Sequence, residues 1–148
     1  MLVTHSAMET RQLGMKLAAL LRPGDTVLLK GGLGAGKSEL ARGIARGLGI
    51  AGPVPSPSFT ILNAYDEGRL PLYHFDWYRI EDPAEISEMG LEEMIGGDGV
   101  ALIEWSEKAP DCLPENVLLA EIRATGEEER EITLTPLGGF PFGEEAIS

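Results

Sequence analysis

The glycine-rich stretch GGLGAGKSEL, residues 31–40, is the feature that most constrains the fold of this chain. It follows TVLLK, a short run of apolar and β-branched residues that is typical of a buried strand in a parallel sheet. After it, apolar residues recur at helical spacing from Leu40 to Leu48, and Gly49 then ends the helix. The order of strand, loop and helix predicts an α/β fold.

The residue pattern of this loop indicates its chemistry. Gly31, Gly36, Lys37 and Ser38 match G-x-x-x-x-G-K-[ST], the Walker A pattern of phosphate-binding loops. Glycines permit positive φ angles and a close backbone approach, so that backbone N–H groups and the helix N-terminus can surround a phosphate. Lys37 would add a positive charge for the outer phosphates, and Ser38 would offer its hydroxyl to Mg²⁺. Because both flanking elements are predicted, we favour a nucleotide-phosphate site over a glycine-rich turn with an incidental lysine.

Two carboxylates stand at the ends of predicted strands. Glu104 ends the apolar run VALIE, and Asp76 follows the extended run LYHF. A strand-end acid in a parallel sheet built around this loop would point toward the phosphate crevice. Nucleotide hydrolysis needs carboxylates near the metal and the attacking water, so Glu104 would hold Mg²⁺ through water or orient the nucleophile. Either acid alone is more often a surface residue or a helix cap, but together with the loop they indicate a hydrolytic site.

Other polar and aromatic residues allow weaker predictions. Ser58 and Thr60 lie in the loop after the predicted helix, where nucleotide switches commonly reside, so a γ-phosphate contact is one expectation. For His5 and His74 we expect hydrogen-bonded structural roles rather than metal binding. Core or interface positions, rather than stacking on a base, are expected for three aromatic residues: Trp77, Tyr78 and Trp105.

The remaining pattern completes one compact domain over residues 1–148. A short first strand precedes a helix from Ala7 to about Leu21, which Ser6 and Glu9 would open as a capping box. TILNAY and LPLYHFDWYR predict a hairpin, and VLLAEIRA and REITLTP predict a second, closing hairpin. Between them, two short helices separated by Gly90 precede the VALI strand. We therefore predict a P-loop NTPase-like, mostly parallel sheet flanked by helices, with antiparallel hairpins at its edges.

Charge and composition exclude several classes of function. The net charge is -12, from 24 acidic and 12 basic residues, whereas phosphate backbones are normally bound by clustered Lys and Arg. Tight independent binding to nucleic acid is therefore not expected. No apolar stretch approaches the ~18 residues of a membrane span, and the N-terminus lacks a secretion signal. Since the single Cys112 cannot form an internal disulfide, we expect a soluble, cytoplasmic protein.

A phosphate-binding loop is compatible with three nucleotide-dependent functions. A regulatory GTPase would need N-K-x-D, but Asn116 is followed by Val117, so this class is set aside. A small-molecule kinase usually closes a basic lid on its second substrate, yet Lys and Arg are sparse after Arg79, so it is the second choice. A subunit that binds nucleotide without hydrolysing it remains open, and substitution of Asp76 or Glu104 would distinguish it.

Six motifs occur together in the order and spacing of one known family: LG at residues 13–14, GGLGAGKSEL at 31–40, SPSFT at 56–60, YHFDWYR at 73–79, EMGLEE at 88–93 and IEW at 103–105. On these motifs, which extend over nearly the whole chain, it resembles the TsaE (YjeE) family of small bacterial ATPases in tRNA threonylcarbamoyladenosine modification. The family usually has Asp, Thr and an aliphatic residue where this chain has Gly32, Ser38 and Trp77. Ser38 keeps the hydroxyl that the family pattern requires.

The resemblance implies roles for individual residues. It implies ATP phosphates bound by six loop residues: Leu33, Gly34, Ala35, Gly36, Lys37 and Ser38. Mg²⁺ would lie near Ser38 and Glu104, with Glu104 as the Walker-B-like acid. Asp76 would assist hydrolysis, so that the implied catalytic residues are Lys37, Asp76 and Glu104. The SPSFT loop would respond to the γ-phosphate.

The resemblance also implies partners. Members of the family act with the TsaD and TsaB proteins and do not transfer the threonylcarbamoyl group themselves. The resemblance implies that ATP hydrolysis resets that complex between rounds of modifying the adenosine beside the anticodon, in tRNAs that read codons beginning with A. An acidic nucleotide switch that docks on a partner needs no tRNA-binding surface of its own, which agrees with the net charge.

Overall fold

The structure is a computed structural model that describes residues 1–32 and 34–147. Within these residues the strands are, in chain order, β1 (Leu2–Thr4), β2 (Thr26–Lys30), β3 (Leu62–Tyr65), β4 (Leu72–Asp76), β5 (Val100–Glu104), β6 (Val117–Ala124) and β7 (Arg130–Leu137). The α-helices are α1 (Ala7–Ala18), α2 (Lys37–Gly47) and α3 (Ala84–Glu88). Short 3₁₀ helices cover Leu91–Met94, Ser106–Lys108, Pro110–Cys112 and Glu144–Ala146.

All seven strands form one sheet in the order β1-β7-β6-β2-β5-β4-β3. The four central strands β6, β2, β5 and β4 are parallel, and antiparallel pairs lie at both edges. The two innermost strands, β2 and β5, carry side chains that are buried on both faces of the sheet, which explains their apolar runs VLL and VALI. The predicted α/β class, with a parallel centre and edge hairpins, is confirmed.

Successive side chains of each strand point to opposite faces of the sheet, so the apolar residues form two separate cores. On one face, α1 and α2 contribute Leu17, Leu40 and Ile44, which pack with Val27 and Leu29 of β2. On the other face, a second cluster contains Leu28, Phe75, Trp77 and Ile103 together with Ile86 of α3. The helices α1 and α2 therefore cover one side of the sheet, and α3 covers the other.

The first helix differs in two ways from its prediction. Ser6 caps it as expected, accepting a hydrogen bond from the Glu9 backbone N–H at 3.1 Å, but the Glu9 carboxylate accepts from the backbone N–H of His5 instead of Ser6. The helix also ends at Ala18, and the chain continues in tighter turns. Arg69 donates to the carbonyl oxygens of Ala18 and Leu21, a distant contact that a local sequence pattern does not reveal.

Glycines allow α1 and α2 to pack at very short range. A Cβ atom on Gly43 would lie 2.1 Å from the carbonyl oxygen of Arg11, and one on Gly14 would lie 2.6 Å from that of Leu40. Only glycine fits where two helix backbones approach this closely. This contact fixes the position of α2, and with it the loop that precedes α2.

Among the described residues, none of the helices combines the length and the apolar character that a bilayer crossing requires.

Candidate functional site

The glycine-rich loop leaves the carboxyl end of β2, at the centre of the sheet, and enters α2. Gly34 and Gly36 have φ angles of 76° and 103°, in the left-handed region that favours glycine. A Cβ atom on Gly34 would meet nothing within 4 Å, so the loop is open on that side. Gly36 is the N-cap of α2 and has no side chain that could accept a hydrogen bond. The first backbone N–H groups of α2 are therefore available to an anion. Leu33, predicted as a phosphate contact, lies outside the described residues.

Lys37 and Ser38 occupy the first turn of α2. The Lys37 side chain is only 11% exposed, and its Nζ lies 3.7 Å from Oε1 of Glu104 and 4.9 Å from the centre of the Trp105 ring. Ser38 is exposed at the same cavity. The structure thus brings the predicted lysine and hydroxyl to one helix end, where the lysine already contacts a carboxylate.

Asp76 and Glu104 end two neighbouring parallel strands and are partners in their register. Because register partners project on the same face of a sheet, both carboxylates are directed to the side that α2 covers. They are buried, with 4% and 7% of their surfaces exposed. Two acids predicted independently from strand ends therefore lie side by side next to the loop.

Asp76 has two hydrogen-bond donors. The backbone N–H of Tyr78 donates to its Oδ1 at 2.9 Å, and the Ser58 hydroxyl donates to its Oδ2 at 3.3 Å. Ser58 also lines the cavity, whereas Thr60 is exposed and donates to Asn63 Oδ1 at 2.8 Å. Of the two residues considered for a phosphate contact, only Ser58 is connected to the site in this structure.

His74 is the polar neighbour that sequence reasoning did not connect to the site. Its Nε2 lies 2.7 Å from Oε2 of Glu104, and the residue is 2% exposed. A hydrogen-bonded role was expected, but not this partner. The available signal was its position two residues before Asp76 on the same strand, which places both side chains on one face.

A cavity of about 560 Å³ lies at the glycine-rich loop. Its lining includes the loop residues Gly34, Ala35 and Gly36 together with Lys37, Ser38, Asp76 and Glu104. Its rim includes Phe59, Tyr78, Arg79 and Trp105, and the rings of Tyr78 and Trp105 lie 4.9 Å apart between their centres. Trp77, by contrast, is fully buried in the core as expected.

Arg130 also reaches the loop, although sequence reasoning did not select it. Its guanidinium donates to the carbonyl oxygen of Glu129 at 2.8 Å and makes a long contact of 3.5 Å with that of Gly34. The arginine therefore connects the β6–β7 turn to the phosphate-loop sequence. No local motif marks this residue, because β7 approaches the loop only through the order of strands in the sheet.

The donor atoms at the cavity suit a hard cation better than a transition metal. Within residues 1–32 and 34–147, no group of three or more His, Cys, Asp and Glu residues is arranged to hold a metal ion. The cavity instead offers the Ser38 hydroxyl and the carboxylates of Asp76 and Glu104. Mg²⁺ prefers oxygen ligands and is usually held by one or two protein groups, several waters and substrate phosphates. The residues present fit that mode of binding.

A glycine-rich loop between a central parallel strand and a helix, with strand-end acids beside it, defines an α/β protein of the P-loop NTPase-like class. The sequence model described as "Threonylcarbamoyl adenosine biosynthesis protein TsaE" matches residues 4–132. The chain belongs to this TsaE family, and the resemblance expected from its motifs is confirmed.

Individual relatives agree with this assignment. The chain is 46% identical over 130 residues to the tRNA threonylcarbamoyladenosine biosynthesis protein TsaE of Bacillus subtilis (strain 168), covering 88% of this chain and 81% of the relative. It is 40% identical over 132 residues to the protein of the same name from Treponema pallidum (strain Nichols), covering 89% and 97%. The crystal structure of YdiB from Bacillus subtilis superposes with a TM-score of 0.81 at 40% identity, covering 93% of this chain and 85% of that one.

Proposed function

We propose that this chain binds and hydrolyses ATP with Mg²⁺, as an accessory protein of tRNA threonylcarbamoyladenosine modification that acts with TsaD and TsaB. The observation that carries the ATPase proposal is the meeting of the glycine-rich loop, Lys37 and Ser38 with two buried carboxylates at one edge of the sheet. The pathway follows from the family to which the chain belongs.

In this proposal the loop holds the phosphates. Backbone N–H groups of the loop and of the first turn of α2 donate to phosphate oxygens, and the helix dipole favours their charge. Lys37 lies close enough to turn its ammonium group from Glu104 toward the outer phosphates. Gly34, Ala35 and Gly36 would supply the backbone of this cradle, and Leu33 stays a phosphate contact predicted from the sequence.

Ser38 and Glu104 would hold Mg²⁺, which when bound shields the charge of the phosphates. Glu104 is hydrogen-bonded to His74 and lies beside Lys37. Asp76, which accepts hydrogen bonds from Tyr78 and Ser58, would orient the attacking water and accept its proton. The Ser58 contact would connect the SPSFT loop to the state of the nucleotide.

The partner proposal depends on charge and family. A chain of net charge -12 is poorly suited to hold tRNA, so its effect on tRNA would be exerted through proteins that do bind it. TsaD and TsaB are the proposed partners, and the adenosine beside the anticodon in tRNAs reading codons that begin with A is the proposed site of modification. The proposed location is the cytoplasm, where such a complex would meet its tRNA.

The decisive experiment measures ATP hydrolysis by the purified chain, alone and with TsaD and TsaB. Glu104→Gln should keep ATP binding and lose turnover, whereas Glu67→Gln, at an exposed position, should behave as the parent. Lys37→Ala should weaken ATP binding about tenfold or more, while Lys16→Ala, exposed on α1, should not.

The alternatives give different results in the same assay. ATP binding without turnover under any condition would favour a nucleotide-dependent regulator that does not hydrolyse ATP. Hydrolysis that TsaD and TsaB leave unchanged would contradict the proposed partnership and direct the search to a phosphoryl acceptor, as for a small-molecule kinase. Unchanged ATP affinity in Lys37→Ala would overturn the phosphate-loop assignment.

A further inference from the structure

The hydrogen bond between His74 and Glu104 is buried next to the proposed reaction site. Nε2 of His74 lies 2.7 Å from Oε2 of Glu104, and only 2% and 7% of the two residues are exposed. An ionised carboxylate can only accept hydrogen bonds, so Nε2 carries the proton and donates it. His74 therefore forms a hydrogen bond with one of the two carboxylate oxygens of Glu104.

The other ring nitrogen shows that packing alone does not explain a histidine here. Nδ1 of His74 is buried and finds no hydrogen-bond partner among the described residues. On β5, Leu102 is the register partner of His74, and Leu72 lies two residues before His74 on the same face of β4. An aliphatic side chain would suit such surroundings without burying an unpaired nitrogen. The contact with Glu104 is the polar interaction that the imidazole gains in return.

The position of the second Glu104 oxygen completes the geometry. Oε1 lies 3.7 Å from Nζ of Lys37, on the side of the cavity. The terminal torsion of a glutamate is broad, so a carboxylate with no anchor samples many orientations. A hydrogen bond to Oε2 restricts that rotation and keeps Oε1 on the side of Lys37.

We propose that His74 is a positioning residue that orients the Glu104 carboxylate for ATP hydrolysis. The inference rests on the proposed function, since it assigns the orientation of the acid that this function requires. The inference extends the proposed function because β4 then carries two roles. Asp76 at the end of β4 would act on the attacking water, and His74 two residues earlier would hold the carboxylate of Glu104 on the neighbouring strand.

The test compares two substitutions of similar polarity and different reach. The amide nitrogen of Gln lies where Nε2 of histidine lies, whereas that of Asn is one bond too short to reach Glu104. In the presence of TsaD and TsaB, His74→Asn should lower kcat about 10- to 100-fold and leave ATP affinity within about twofold of the parent. His74→Gln, which keeps a donor at the position of Nε2, should retain a kcat within about threefold of that of the parent.

Equal loss of kcat in the two variants, at similar melting temperatures, would overturn the proposal, because both would then report only the loss of the imidazole from the core. Normal kcat in His74→Asn would overturn it as well. A variant of either type that loses ATP affinity with kcat unchanged would assign His74 to binding and not to the orientation of Glu104.

A spectroscopic measurement tests the same contact without any turnover. Ring ¹⁵N spectra of the labelled chain should show His74 protonated at Nε2 and should change when Glu104→Gln is introduced, while the signals of the exposed His5 remain as an internal control. A His74 ring protonated only at Nδ1, or insensitive to Glu104→Gln, would contradict the hydrogen bond. If the parent hydrolyses no ATP even with TsaD and TsaB, the proposed function fails, and the spectra still decide the His74–Glu104 contact.

Discussion

Among single residues, Glu104 makes side-chain contacts with two other elements of the candidate site, α2 and β4. Its two oxygens face His74 on one side and Lys37 on the other, and the next residue, Trp105, has a φ angle of 59°. A left-handed conformation is unfavourable by about 1–2 kcal/mol for a residue other than glycine. Contacts of the Trp105 ring with Tyr78 and Lys37 accompany this strained backbone. Strain of this kind often accompanies functional sites, which agrees with the role proposed for Glu104.

Asp76 offers a test that separates catalysis from folding. Asp76→Asn keeps an oxygen that can accept from the Tyr78 N–H, so we expect the melting temperature to fall by no more than about 4 °C. Since an amide cannot take a proton from water, ATP turnover should fall about 100-fold, with ATP affinity unchanged. Asp66→Asn, in an exposed turn, is the matched control. Full turnover in Asp76→Asn would remove Asp76 from the proposed mechanism.

Cys112 should be a slow nucleophile. Burial raises the pKa of its thiol, and the hydrogen bond that Sγ donates to Oε1 of Glu92 at 3.3 Å raises this pKa further. A raised pKa leaves less thiolate at a given pH, so alkylation by iodoacetamide at pH 8 should be slower in the folded chain than in urea. The pH at which the rate levels off should also be higher when the chain is folded.

Glu92→Gln provides the control for the thiol, because it removes the negative charge and leaves Cys112 in place. The pH profile of alkylation should move down toward that of the unfolded chain. A folded chain that reacts as fast as the unfolded one would show that the thiol is neither shielded nor shifted.

At the scale of elements, the α1–α2 contact determines where the phosphate loop ends. The helices meet through glycines, and a Cβ on Gly47 would lie 2.5 Å from Cβ of Ala18, in addition to the close contacts of Gly14 and Gly43. This packing holds the first turn of α2 against the carboxyl ends of β2 and β5. A change in helix separation would therefore move Lys37 and Ser38 relative to Glu104.

Gly43→Ala should expose this dependence. The added methyl group would lie 2.1 Å from the Arg11 carbonyl oxygen, so the helices must separate. We expect a loss of about 1–3 kcal/mol in the free energy of unfolding, measured with urea, despite the better helix propensity of alanine. Gly126→Ala, whose Cβ would meet only Glu129 at 3.5 Å, should change stability by less than about 0.5 kcal/mol. Unchanged stability in Gly43→Ala would mean that the two helices are not in such close contact.

At the scale of the whole molecule, charge and sheet topology act together. The carboxyl ends of β2, β4, β5 and β6 lie on one edge of the sheet, and the loop, both acids and the β6–β7 turn meet there. The chain carries a net charge of -12, so the proposed phosphate binding would have to come from a few local groups and not from the overall field. We therefore expect such a molecule to bind a small phosphate ligand while repelling a long polyanion.

Binding to tRNA tests this property directly. In filter binding at about 0.15 M salt, the chain alone should bind tRNA with a Kd weaker than about 10 µM. A mixture with TsaD and TsaB serves as the positive control for retention of tRNA. Micromolar binding by the chain alone, weakening steeply as salt is raised, would contradict the prediction and indicate a basic surface that the net charge conceals.

Much of the fold was predictable because its signals are local. The strand β2 and the start of α2 follow from contiguous residues whose periodicity and glycine spacing have one physical interpretation. Both edge hairpins and the two short helices around Gly90 were predicted for the same reason. The end of α1 was placed three residues too late, because the carbonyl groups there are satisfied by Arg69, far away in the chain.

Local patterns along the chain were sufficient to predict the strand–loop–helix order, the phosphate-loop pattern and the strand-end positions of Asp76 and Glu104. Only the tertiary structure placed His74 against Glu104, 30 residues away, and Arg130 beside the glycine-rich loop. Backbone preferences act between neighbours, so they can be read along the chain. Contacts between distant side chains depend on strand order and register, which arise only when the whole sheet assembles.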